Sequence, residues 1–203
     1  IWYIGENTIT KVVIPEGVET IGPYAFAGLT ALKEVELPST LKKIDQGAFL
    51  GCTSLEKVTG IGNVKFINAN AFTACNLQNS ITLTNAIAVS DYAFAYNANL
   101  KSVTLSSNTQ SVGAYAFAGC REMATLNIYA PKIKLSQFAF TDCKKLASVS
   151  LNAAVIPTGT FYGCSNLTSV TLGKDVAVIG EYAFGATSVN SFTVNAENTT
   201  FFP

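Results

Sequence analysis

Eight phenylalanines, Phe26, Phe49, Phe72, Phe94, Phe117, Phe140, Phe161 and Phe184, follow one another at spacings of 23, 23, 22, 23, 23, 21 and 23 residues. A catalytic phrase is used once, whereas a phrase at a fixed period of roughly 20–50 residues marks a repeat architecture. Other columns keep the same register. Five residues before each Phe stands Ile21, Ile44, Ile67, Val89, Val112, Leu135, Ile156 or Ile179, and the residue just before it is Ala except at Thr160. Nine residues after it come Val35, Val58, Ile81, Val103, Leu126, Val149 and Val170. A partial copy, Ile9, Val12, Ile14 and Val18, precedes the first Phe in the same frame.

Each unit reads locally as two short extended pieces and a turn. "LKSVTL" at 100–105 alternates apolar and polar residues, the signal of a half-buried strand. A Pro or polar turn follows, as in "PEG" at 15–17, and then a second extended piece such as "VETIG" at 18–22. "PYAFAGL" at 23–29 turns Ala25, Phe26 and Leu29 inward, in a tight turn or one turn of helix. Gly28, Gly51, Gly119 and Gly163 close that turn, where a positive φ is expected. Such a unit cannot bury its apolar face alone. Stacked copies share one core, and their equivalent strands form a long parallel sheet. The expected fold is a repeat solenoid of about eight units spanning 1–203, with 1–8 and 195–203 as its edges.

The phrase L-x-x-V-x-L at 32–37, 100–105 and 167–172 resembles the core of a leucine-rich repeat. The longer "LKEVELPSTLKKIDQGAFLGC" at 32–52 is similar to the BspA-like subclass, departing mainly at Asp45, where Gly is usual. The resemblance covers about 10–200 and implies a right-handed, β-dominated superhelix of the α/β-horseshoe type, with short strands or helical turns opposite the long sheet. It also implies an exported or surface-displayed bacterial protein, some of whose relatives are adhesins for host matrix proteins or other cells, and it supplies no catalytic residues. Departures gather mid-chain. Gly60 replaces a core Leu, the 72–83 unit is shortened, and "AAVIPTGTF" at 153–161 loses the usual G-x-x-A-F.

Composition narrows function further. Thirteen Lys and Arg balance thirteen Asp and Glu, so no basic field exists for nucleic acid. His is absent, which removes the commonest general base and metal ligand and argues against an enzyme. No cofactor or metal is expected. No stretch approaches the ~20 apolar residues that span a bilayer. The start "IWYIGENTIT" has no Met and no signal peptide, and reads as a processed or trimmed piece, so extracellular or cell-surface location rests on the resemblance.

Three recurring columns are candidates for function. Cys52, Cys75, Cys120, Cys143 and Cys164 each lie three residues after a ladder Phe, and without His or Cys-x-x-Cys they read as a core column rather than a metal or redox row. Tyr24, Tyr92, Tyr115 and Tyr182 lie two before the Phe and are expected to cover the seam between units. The residues flanking the inward Val point outward: Glu34 and Glu36, Lys57 and Thr59, Ser80 and Thr82, Ser102 and Thr104. Thr125 and Asn127, Ser148 and Ser150, and Ser169 and Thr171 continue them, and the shorter last copy offers Ser191 and Thr193. This polar, hydroxyl-rich face is the candidate contact surface for a protein or glycan partner. The alternative is a passive spacer presenting another domain. Asn166-Leu167-Thr168 and Asn198-Thr199-Thr200 match the N-glycosylation pattern, although Leu167 is a core position.

Overall fold

The computed structural model describes residues 8–200; of the edges expected at 1–8 and 195–203, residues 1–7 and 201–203 lie outside the described residues. The chain winds into about eight coils of a parallel β-solenoid. Seventeen strands are formed among the described residues. The first are β1 (Lys11–Val13), β2 (Thr20–Ile21), β3 (Glu34–Glu36), β4 (Lys43–Ile44), β5 (Lys57–Thr59) and β6 (Phe66–Ile67). Next come β7 (Ser80–Leu83), β8 (Ala88–Val89), β9 (Ser102–Leu105), β10 (Ser111–Val112), β11 (Thr125–Ile128) and β12 (Lys134–Leu135). The last are β13 (Ser148–Leu151), β14 (Val155–Ile156), β15 (Ser169–Leu172), β16 (Val178–Ile179) and β17 (Ser191–Val194). Odd-numbered strands build the long sheet and even-numbered strands a second, narrower one, every pairing being parallel. The pairing register equals the sequence register, Val12 with Val35 and Val58, and Ile81 with Val103 and Leu126.

The long sheet is not continuous. It is laid down in three hydrogen-bonded segments, β1-β3-β5, β7-β9-β11 and β13-β15-β17. The first interruption falls at the irregular units that hold Gly60 and the shortened 72–83 stretch. Gly60, at φ 80, diverts the chain into a short 3-10 turn, Ile61–Asn63, in place of a further strand residue. A side chain there is barred, because a Cβ would stand 2.2 Å from the Leu37 carbonyl oxygen. The narrow sheet runs unbroken from β2 to β12 and then stops, with β14 and β16 forming a separate pair.

The turn carrying Ala-Phe is not helical, which settles the alternative left by the sequence. It holds two residues at positive φ in every coil. Two before the Phe, φ is 53–61° at Tyr24, Gly47, Asn70, Tyr92, Tyr115, Phe138, Gly159 and Tyr182. Two after it, φ is 53–75° at Gly28, Gly51, Ala74, Tyr96, Gly119, Asp142, Gly163 and Ala186. This reversal aims alternate N–H groups at the next coil. Tyr24, Phe26 and Gly28 donate to the carbonyls of Gln46, Ala48 and Leu50 at 2.9, 2.8 and 2.8 Å, while Ala25, Ala27 and Leu29 bond back within their own turn. The turns therefore form a third ladder. Its bonds offset the ~1–2 kcal/mol that each non-glycine residue loses in the left-handed region.

The core is one column per coil. Phe49, Phe72, Phe94, Phe117, Phe140 and Phe161 are fully buried. Their rings stack with centroids 5.1–5.5 Å apart. At the first turn the inward expectation fails in part: Ala25 is exposed and Phe26 and Leu29 are only half-buried, there being no preceding Ala-Phe turn against it among the described residues.

Candidate functional site

All fourteen candidate face residues stand outward on odd-numbered strands, exposed or half-exposed, with the apolar residues between them turned to the core. Parallel pairing sets them in two rows. One row runs Ser80, Ser102, Thr125 and, beyond an interruption, Ser148, Ser169, Ser191. The other runs Thr82, Thr104, Asn127 and then Ser150, Thr171, Thr193. Neighbours within a segment repeat at about 4.8 Å, the spacing of paired strands. The three segments are thus brought onto one side of the solenoid without being joined into one surface.

The charged end of this face is internally neutralised. Lys57 Nζ lies 2.7 Å from Glu34 and Lys11 Nζ lies 2.5 Å from Glu36 and 3.6 Å from the second oxygen of Glu34. The carboxyl of Glu34 is accordingly held below its ordinary range, first by the hydrogen bond from Lys57. Sequence reading missed Lys11 as a face residue. Its signal was present, since Lys11 flanks Val12 as Glu34 flanks Val35. In the middle segment the one side-chain bond between outward residues is Asn127 Nδ2 to Thr104 Oγ1 at 3.3 Å, among the described residues. The remaining hydroxyls there face solvent uncommitted.

The Cys column is buried and all five thiols are free. Each thiol donates to the carbonyl of the Phe one coil back: Cys52 to Phe26 and Cys75 to Phe49 at 3.1 Å, Cys120 to Phe94 and Cys143 to Phe117 at 3.4 Å, Cys164 to Phe140 at 3.2 Å. The slot therefore selects a small donor. Burial pushes the Cys120 thiol up to about 12, and pushes Cys143 up as well, with Cys164 beside it adding to the rise. Asn97 occupies the same slot in the fourth coil. Its Nδ2 donates to the carbonyls of Phe72 and Phe94 at 2.8 and 2.9 Å, and its Oδ1 accepts from the Leu77 N–H at 3.2 Å. That contact holds the shortened unit in place.

Opposite the long sheet, Tyr92, Tyr115 and Phe138 stack at 4.9 and 5.0 Å along the seam of the turns. Tyr24 and Phe138 lie over Gly47 and Gly159, where a Cβ would meet their rings at 2.4 and 2.1 Å. The stacked rings cover one another's faces and show mainly edges, so this strip is a seam cover and not a stacking platform. Among the described residues no group of His, Cys, Asp or Glu is arranged to hold a metal ion, and no helix is long and apolar enough to cross a membrane.

The family described as BspA type leucine-rich repeat region matches residues 3–95 and 87–202, in six copies. The chain belongs to the BspA-type leucine-rich repeat family. Solved structures agree on the fold. A leucine-rich repeat protein of T. pallidum superposes with a TM-score of 0.58 at 24% identity, covering 85% of this chain and 74% of its own. A leucine rich cell surface protein from Faecalibacterium prausnitzii gives a TM-score of 0.51 at 18% identity, covering 91% of this chain and 69% of its own. Among curated proteins none matches the chain.

Proposed function

We propose that this BspA-type array, acting as one unit, is a non-catalytic interaction module of the cell surface or extracellular space. Its partner is a protein or a glycan held on the long-sheet face. One observation carries the reading: the hydroxyl rows from Ser80 to Thr171 are uncharged, outward and largely uncommitted, on strands fixed from behind by a buried core. A rigid face of this kind loses little entropy on binding and can vary its outward residues without disturbing the fold. The surface location is prompted by the family and by the array's structural similarity to the F. prausnitzii cell surface protein.

A spacer role is the second reading. It is favoured by the self-paired Lys11, Glu34, Glu36 and Lys57 cluster and by the lack of aromatic anchors on the middle of the face. Thr104→Arg, Asn127→Arg and Ser150→Arg together test the choice. The triple variant should keep the wild-type far-UV spectrum and melting temperature, while losing any confirmed partner. Binding to the uncharged tract should also depend weakly on salt. Full affinity in the triple variant would exclude the face as the contact surface.

A further inference from the structure

Between the coils of Phe117 and Phe140 and the next, both sheets part at once. β11 does not pair with β13, and β12 does not pair with β14. The turn ladder nevertheless continues through the gap, Phe138 and Phe140 donating to Thr158 and Thr160 at 3.0 and 2.9 Å. The Phe stack also continues, at 5.5 and 5.4 Å. The coils are hinged closed on the turn side and open on the other.

The narrow sheet shows why. In the other paired coils, the residue four before each Phe donates its N–H to the coil behind: Asp45 to Ile21, Asn68 to Ile44, Ser90 to Ile67, Gly113 to Val89, Ser136 to Val112 and Gly180 to Ile156. Pro157 stands at this position and has no N–H to give Leu135. Two further bonds are missing. Lys65 and Phe66 both donate to Lys42 in a regular pair, yet Ala154 and Val155 make no such bond to Ile133. Ile133 and Leu135 carbonyls and the Ala154 and Val155 N–H groups thus line a gap without backbone partners.

That gap opens into a cleft of about 700 Å³, with walls from β12, the turn before β14, and Asp175. Its volume lies within the roughly 300–1,000 Å³ of small-ligand sites. Strand Cα atoms across the gap still come within 8 Å. An inserted strand would need about 9.5 Å, two strand spacings, so a peptide cannot complete the sheet here. Asn152 braces the opening, its Nδ2 donating to the Pro131 carbonyl at 3.1 Å and to Asp175 Oδ2 at 2.9 Å, while its Oδ1 accepts from the Asp175 N–H at 3.1 Å. Lys132 and Lys134 supply cations and the half-exposed Val155 an aliphatic wall.

We propose that this cleft binds a compact hydroxylated carboxylate, a hexuronic acid residue free or at the end of a glycan. The two carbonyls and Asp175 call for hydroxyl donors. The two lysines and the two N–H groups call for an anionic acceptor, and charge-assisted bonds of this kind are the strong ones. Two cations against one carboxylate leave the lining net positive, which disfavours a ligand that carries an ammonium group, so glutamate, a net monoanion like hexuronate, is held back by its own cation. The site lies away from the long-sheet face and does not depend on that face binding anything.

The test is titration of the whole protein with glucuronate and galacturonate, against glucose and glutamate, followed by calorimetry and by amide NMR shifts. Hexuronate should bind, glucose and glutamate more weakly, with shifts centred on Ala154, Val155 and Lys134. Lys132→Gln with Lys134→Gln should cut hexuronate affinity by about tenfold at unchanged melting temperature, because both side chains are exposed. Ala154→Leu, which fills the mouth, should abolish binding independently. Hexuronate binding no tighter than glucose, undiminished binding in the double Gln variant, or tighter binding of glutamate would each overturn the proposal.

Discussion

Phe117→Ala compared with Phe184→Ala measures whether the core is a one-dimensional stack. Phe117 is fully buried between Phe94 and Phe140, with ring centroids at 5.2 and 5.5 Å. Truncating a buried Phe costs about 3–5 kcal/mol, which includes the transfer loss and the cavity left behind. Phe184 is only half-buried, with one stacked neighbour, Phe161 at 5.6 Å, and an edge contact from Phe192 at 5.4 Å. With one stacked face and partial exposure, its truncation should cost roughly half as much, about 2 kcal/mol. For a chain of this size each kcal/mol lowers the melting temperature by about 2–4 °C. The expected shifts are therefore about 10 °C for Phe117→Ala and about 5 °C for Phe184→Ala. Thermal melts followed by far-UV circular dichroism read these shifts, and urea melts read the free energies behind them. The mid-array variant should also broaden the transition, because a weakened interface lets the two halves unfold separately. Equal costs at the two positions, or a larger cost at Phe184, would refute the stack as the unit of stability.

The five thiols should be free by mass spectrometry without reduction and inert to aromatic disulfide reagents in native protein at pH 8, reacting only on unfolding. Because the folded Cys120 value is raised to about 12, its contribution should be intact below the ordinary thiol range and be lost as pH climbs from there toward 12, visible as a falling melting temperature. Asn97→Ala should cost about 2–4 kcal/mol by orphaning the Leu77 N–H and a buried carbonyl, and Asn97→Cys should restore part of it by donating to Phe72, as judged by urea midpoints. Gly51→Ala meets nothing within 4 Å and should cost only the left-handed penalty, about 1 kcal/mol, whereas Gly60→Ala must displace the Leu37 carbonyl and should cost clearly more. Asp45 is held down to about 2 by Lys43 and then by the Asn68 amide, so its stabilisation is present above the usual carboxyl range and lost as pH falls from about 4 toward 2. An acid titration of Asp45→Asn should lack that part of the decline.

The period, the core columns and the outward rows were legible because each is carried by side-chain type, and inward slots accept few types. Phe, Ala and Cys in the turn name their slots outright. The paired left-handed residues were half legible. Gly28, Gly51, Gly119 and Gly163 announce the second position, but the first is filled by Tyr24, Tyr92, Tyr115 and Phe138, which hide it. There the requirement is on the backbone, and ring stacking along the seam lets large residues tolerate it. Asn97 was readable in the Cys column as a donor of similar reach, had the column been read for hydrogen bonding instead of size.

The breaks in the sheets were visible only as irregular spelling. A Pro is informative in a parallel stack only when one knows which N–H crosses between coils, and that follows from the turn geometry, not from the period. Once the crossing donor is placed four residues before the Phe, Pro157 becomes the point at which this array must open. The same logic separates fold from function here. Inward residues are constrained by every neighbouring coil, so repetition reveals them. Outward residues satisfy no coil but their own, so Thr104 and Asn127 could change without trace in the pattern. Chemistry specific to this chain is therefore to be sought where the repetition fails, and it fails most completely at the cleft beside Lys134, Asn152 and Asp175.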